Sequence, residues 1–206
     1  MSGSIIGYDL NEKYCQISFY SEEAQEPQTM ETTLDNYQIP LAIGKKEGHW
    51  VIGNDAKRLD VIKQGNAAGD LYRRVLRQEK IELGDETYEA IWLLAKFVEI
   101  SLKKFEDIEQ IVFTVPKLTV DIGRILKGIG QRAGAKKNGI YVQDYKESFC
   151  NYMLYQPKEL WQYEAALFHC DRHEVKAYML RKLRTGFGKG KDTFVTVDEV
   201  AGAQMQ

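Results

Sequence analysis

The chain is poor in the residues that staple or metallate small proteins. It has three cysteines, Cys15, Cys150 and Cys170, scattered and without a Cys-x-x-Cys pair. That usage fits buried free thiols in a reducing cytoplasm, not a disulfide framework. A charge excess of either sign is also missing: 28 basic residues against 30 acidic ones leave a net charge of −2. Such a balance asks for neither nucleic acid nor an anionic membrane. No apolar run approaches the length of a membrane-spanning helix. The opening Met1-Ser2-Gly3-Ser4 runs straight into a strand without a basic, apolar leader, so no secretion signal is expected. There is no Ser-His-Asp order with supporting context. Gly186-Phe187-Gly188-Lys189-Gly190-Lys191-Asp192 mimics a P-loop but fails it. Three residues separate Gly186 from Gly190 where four are needed, and Asp192 stands where Ser or Thr is required. A hairpin loop explains this stretch.

What is present is an ordinary globular composition, 44% hydrophobic and 28% charged over 206 residues. That is enough for one sizeable domain, or one and a part. Ile5 to Asp9 reads as a strand, and Cys15, Ile17 and Phe19 alternate with polar residues in a second. Glu22 to Gln28, with Pro27, reads as a loop, and 29–34 as a possible third strand. Ile39 to Ile43 and His49 to Gly53 flank a turn and form a small hairpin. Asn54 suits the N-cap of a short helix to Val61. Residues 62–85 carry no dominant period.

From there strands and helices alternate. Tyr88, Ile91, Trp92, Ala95, Val98 and Leu102 recur at helical spacing. Ile108 to Val115 is a buried strand ended by Pro116. Ile122, Ile125, Leu126, Ile129 and Ala133 line one face of a helix closed by Gly134. Ile140 to Val142 is a strand, and Ser148 to Tyr155 a helix stopped by Pro157. A second hairpin follows, Ala165 to Cys170 and Val175 to Leu180. Thr196 to Gln206 reads as a capped helix start. An antiparallel opening followed by strand–helix alternation predicts an α/β fold: a ribonuclease-H-like mixed five-stranded sheet flanked by helices, with a small inserted subdomain.

The two hairpins carry a resemblance. Ile5 to Phe19 resembles the first phosphate segment of the actin-like ATPase superfamily, and the hairpin at 165–180 resembles the second. Ile39-Pro40 with Trp50-Val51-Ile52-Gly53-Asn54-Asp55-Ala56-Lys57-Arg58 is similar to a stretch of the seventy-kilodalton heat-shock chaperones. So are Leu71 to Arg77, Val112-Phe113-Thr114-Val115-Pro116, Arg124 to Gly134 and Asp144 to Tyr155, all in the same order. The chain resembles the N-terminal lobe of those chaperones over about residues 5–182. The resemblance implies a lobe over 1–163, with 40–105 inserted, and at 164–206 the hairpin and start of a truncated second lobe.

It also implies where ATP would sit. Asp9 would hold magnesium, while Asn11 and Lys13, and on the second turn His169, Asp171 and Arg172, would face phosphate. Asp144 or Glu147 would orient water, and Arg73, Arg74 or Arg77 would stand for a phosphate-contacting lysine. A phosphate cradle needs close-approaching backbone N–H groups, hence glycine and small hydroxyls. Here the first turn is Asn11-Glu12-Lys13 and the second is His169-Cys170-Asp171-Arg172-His173-Glu174, without a glycine. Both read as charged hairpin turns, and Asp144 reads equally as a helix cap. His169 and His173 with Cys170 invite a zinc ion, but strand residues four apart lie roughly 13 Å apart, too far for one metal.

The expectation is therefore a non-catalytic actin-like or chaperone-like domain, with no catalytic residue and no cofactor. It would be an interaction or regulatory module in a bacterial-type cytoplasm, part of a larger protein. Its partner would be another protein or the missing second lobe, with no nucleic acid and no membrane. The alternative is an ATP-binding chaperone-like or actin-like ATPase, with Mg-ATP as cofactor and its second lobe outside this chain.

Overall fold

A computed structural model describes residues 3–21, 23–33, 36–62, 65–157, 164–170, 175–185 and 191–201. The chain divides into two units, Met1–Gln143 and Asp144–Gln206. The expectation had placed the division after residue 163; here it falls at the end of a strand, just ahead of a helix.

The first unit is built on a mixed sheet. Its strands are β1 (Ser4–Leu10), β2 (Tyr14–Ser21), β3 (Glu26–Thr29), β4 (Ile39–Pro40), β10 (Ile108–Val115) and β11 (Ile140–Asp144), in the order β11-β10-β1-β2-β3, with β4 also on β2. β1 runs antiparallel to β2 and parallel to β10. Alternation decides the two faces. Ile6, Tyr8 and Leu10 point into the core with Cys15, Ile17, Ile111, Phe113 and Val115. On that face pack α3 (Ala90–Ser101) and α4 (Val120–Arg132). α3 buries Leu93, Leu94, Phe97 and Val98, whereas α4 buries a narrower stripe of Ile122, Leu126 and Ile129. Thr119 caps α4, its Oγ1 accepting from the Ile122 N–H at 3.3 Å. Gly134 ends it at φ +93, a left-handed position that favours glycine.

Between β4 and α3 lie β5 (Ile43–Lys46), β6 (His49–Ile52), α1 (Gly53–Ile62), β7 (Ala67–Ala68), α2 (Leu71–Leu76), β8 (Lys80–Leu83) and β9 (Glu86–Glu89). Strands β6-β5-β7 form one small sheet and β8-β9 another. Two expectations are corrected here. Tyr88 is not in the helix, because β8 and β9 pair across the two-residue turn Gly84-Asp85 and hold Tyr88 opposite Ile81. The third strand is Glu26–Thr29, not 29–34. Pro27 is tolerated there because β3 is an edge strand, with Pro27 opposite Tyr20.

In the second unit α5 (Tyr145–Leu154) accompanies an antiparallel sheet, β12 (Glu164–Cys170), β13 (Val175–Thr185) and β14 (Lys191–Ala201). Tyr178 and Leu180 are buried against Phe149, Cys150, Met153, Leu154, Ala165 and Leu167. The helix expected from Thr196 is instead part of β14, paired with β13 from Lys176↔Ala201 to Thr185↔Lys191. Among the described residues no helix is long and apolar enough to cross a membrane.

Candidate functional site

The first turn closes on itself. Pairing of β1 with β2 ends at Leu10↔Cys15. Beyond it the Asn11 N–H donates to the Tyr14 carbonyl at 3.0 Å, and the Lys13 N–H donates to Asn11 Oδ1 at 3.2 Å. The second bond is an Asx-type turn, the role asparagine takes when no glycine is present. The Lys13 carbonyl accepts from the Leu41 N–H at 2.8 Å, tying the turn to the chain after β4. Glu12 is exposed. Its charge is felt by Tyr72, whose phenol is pushed up to about 12, first by burial and then by Glu12. The Asn11 and Lys13 N–H groups are thus both engaged within the turn itself.

Asp9 sits on the opposite face of β1 from Tyr8. In register it lies between Gln16 of β2 and Thr114 of β10. Thr114 Oγ1 is 3.3 Å from Gln143 Nε2, which donates to it. A polar row of Gln16, Asp9, Thr114 and Gln143 therefore crosses four neighbouring strands near the carboxyl ends of the parallel pair. The carboxyl ends of parallel strands are where open α/β sheets place ligands. Asp9 is half-buried, and its Oδ1 is shut off from solvent. Its charge reaches the Cys15 thiol, pushed up to about 12, although burial is the larger cause there. On the core face the Tyr8 hydroxyl lies 2.9 Å from Ser101 Oγ and accepts from Cys15 Sγ at 3.4 Å. That buried triad locks β1, β2 and α3 together. Asp9 brings one carboxylate to the row. Among the described residues no group of three His, Cys, Asp or Glu is placed to hold a metal ion.

Asp144 caps α5, its Oδ1 accepting from the Glu147 N–H at 2.9 Å. Glu147 lies in the first turn of that helix, where a carboxylate also suits the helix dipole. Arg73 pairs with Asp70, while Arg74 and Arg77 approach Glu79 at 3.4 Å and 3.7 Å. On the second hairpin the backbone pairs His169 with Lys176 and Cys170 with Val175. The turn itself, with Asp171, Arg172, His173 and Glu174, lies outside the described residues, as does 186–190 of the P-loop mimic.

This chain belongs to a family of unknown function, DUF5716. Residues 26–206 match the profile of that family's C-terminal part. No curated protein matches the chain. The matched stretch begins at β3, so Asp9 and the first turn precede it.

A cluster that the sequence reading missed lies inside the matched stretch. Trp50 of β6, Tyr88 of β9 and Trp92 of α3 form a ring-on-ring group. Trp50 stands 5.5 Å from both other rings, and Tyr88 stacks on Trp92 at 5.0 Å and 23°. Lys45, the cross-strand partner of Trp50, extends its ammonium over Trp50 at 4.9 Å. The same ammonium donates to the Tyr88 hydroxyl at 2.6 Å and pairs with Glu86, which also accepts from Tyr88. Arg132 lies over Trp92 at 5.4 Å. The signal was the Lys45–Trp50 cross-strand pair in a short hairpin. Glu86, Tyr88 and Trp92 lie close together in sequence, but far beyond Lys45 and Trp50.

Proposed function

We propose that this chain is an actin-like, chaperone-like lobe that works as a non-catalytic interaction module. The strand order supports the ribonuclease-H-like part of that reading: β1 stands between an antiparallel β2-β3 meander and a parallel β10, with helices α3 and α4 on one face. Insertion of the β5-to-β9 stretch ahead of α3 supports it further. One observation carries the non-catalytic part. In the turn where the superfamily grips phosphate, the Asn11 and Lys13 N–H groups are engaged within the turn, and Glu12 stands exposed at its tip. A triphosphate would have to break those bonds and meet a like charge. We read the module as cytoplasmic and its partner as another protein or a second lobe.

The test is magnesium-ATP binding, followed by heat and by thermal shift. It is run on this chain and on the longest natural form of the protein that carries it. No shift at millimolar nucleotide is expected. Micromolar binding that disappears in Asp9→Ala would overturn the reading. That outcome would favour the second one, a nucleotide-binding lobe. The observation behind that second reading is the Gln16–Asp9–Thr114–Gln143 row at the carboxyl ends of β1 and β10.

A further inference from the structure

The aromatic cluster does something the first turn does not: it already holds a ligand-like group. The Lys45 ammonium rests against one ring face, that of Trp50, and beside it one phenol oxygen and one carboxylate. Ring faces carry negative quadrupole density, and with an added acid they select a cation. The rings are only partly buried and pack on the main core, so the cage walls are held from behind.

The occupant is not sealed in. Lys45 keeps 28% of its side chain exposed and Glu86 keeps 58%. Beside them opens a cleft of about 640 Å³ lined by Lys45, Lys46, Glu47, Asp85 and Glu86 over Leu59, Ile62 and Leu83. Its rim carries three carboxylates against two lysines. The Ile62 side of this cleft is exposed too, Ile62 itself at 83%. A cation arriving through the cleft is drawn by the rim acids. The displaced Lys45, on a flexible four-carbon stem, swings into the same solvated space.

We propose that Trp50, Tyr88 and Glu86, with Trp92 packed behind the two rings, form an ammonium-binding cage for which Lys45 is the built-in occupant, exchangeable for an alkylammonium group from outside. The external ligand class is a free amine or a lysine side chain, which share that chemistry. The proposal stands apart from the nucleotide question, since neither Asp9 nor the first turn takes part.

The experiment uses tryptophan fluorescence in a Trp161→Phe background, so that the signal comes from Trp50 and Trp92. The probes are n-butylammonium, the capped tripeptide acetyl-Ala-Lys-Ala-amide, and n-butanol as the neutral control. The parent chain is expected to show ammonium-dependent quenching that n-butanol does not reproduce. Lys45→Ala removes the internal competitor and is expected to tighten n-butylammonium binding about tenfold, whereas Glu86→Gln weakens it severalfold. Tighter binding of the tripeptide than of the amine assigns the ligand to a protein lysine reaching across the cleft. The reverse order assigns it to a small amine. The proposal is overturned if Lys45→Ala, folded by circular dichroism, shows no ammonium-specific change, or if n-butanol quenches equally. Should Lys45→Ala fail to fold, the parent chain and Glu86→Gln decide: equal quenching in the two, or none in either, overturns it.

Discussion

The two units are stabilised on different scales. In Met1–Gln143 a mixed sheet and two helices bury a continuous core from Ile6 to Ile140. In Asp144–Gln206 Tyr178 and Leu180 are buried, supported by half-buried side chains of α5 and β12. The thiols show the same contrast. Cys15 is fully buried and pushed up to about 12, while Cys150 is half-buried and raised by burial and then by the Asp144 and Glu147 charges. The difference teaches where to probe each unit: in the first many buried side chains share the packing, and in the second Tyr178 and Leu180 join β13 to α5 and β12.

Truncating each core is the strongest way to break that comparison. Phe113→Ala removes a fully buried ring packed 5.4 Å from Tyr8 and is expected to cost about 3–5 kcal/mol. Leu180→Ala is expected to cost about 2–5 kcal/mol. Urea unfolding with mass-resolved thiol labelling checks both, Cys15 reading the first unit and Cys150 the second. Phe113→Ala should still give a folded first unit with Cys15 protected, although less so. Leu180→Ala should expose Cys150 at once. Protection of Cys150 unchanged in Leu180→Ala would show that the small core is not what holds the second unit.

A smaller effect tests close packing within the first unit. A Cβ at Gly139 would stand 1.9 Å from the Glu109 carbonyl oxygen. Backbone must move to admit it, so Gly139→Ala is expected to cost about 1–3 kcal/mol. A thermal midpoint unchanged from the parent would show that β11 is more loosely held against β10 than their neighbouring places in the sheet imply. Smaller again are the helix caps, one in each unit. Thr119→Ala and Asp144→Ala each remove one bond to a helix-terminal N–H and should each cost about 1 kcal/mol in chemical denaturation. The thermal midpoint reported by Cys15 labelling should fall in Thr119→Ala and that reported by Cys150 labelling in Asp144→Ala.

The sequence was most legible where one period dominates. β1, β2 and β10 alternate or run apolar, and α4 keeps Ile122, Leu126 and Ile129 on one stripe, so each lies where expected. It misled where two local rules compete. Thr196-Val197-Asp198-Glu199 carries the spacing of a capping box, yet Val195, Val197 and Val200 favour a strand, and pairing with β13 decides for the strand. β8 alternates, but over only four residues, and β9 shows no period, so their Gly84-Asp85 turn was lost in a mixed stretch. Asp9 was readable as an acid at a strand end. Its neighbours Gln16, Thr114 and Gln143 were not, because strand register alone brings them together. The aromatic cage needed three elements of the tertiary fold before its members met.

The smallest effect separates the cage from both cores. Lys45 and Glu86 are solvent-facing, and each shifts the other: the hydrogen bond with Glu86 raises Lys45 above its ordinary 10.5, and the bond with Lys45 lowers Glu86 below its ordinary 4.5. A depressed carboxylate contributes stability that is present above its ordinary value and lost as pH falls through its folded value. A raised ammonium contributes stability that is present below its ordinary value and lost as pH rises through its folded value. The pair thus supports the β5–β9 region between about 4.5 and 10.5 and fails on either side. Exposed pairs are screened, so the expected change is small and should shrink further in high salt. Thermal melts of the parent chain and Glu86→Gln should run parallel through neutral pH and converge below pH 4.5. Tryptophan fluorescence should change over the same acid window in the parent and stay flat in Glu86→Gln. If the fluorescence of both proteins titrates alike, the ammonium is held by the rings alone and Glu86 is a bystander at the cage mouth.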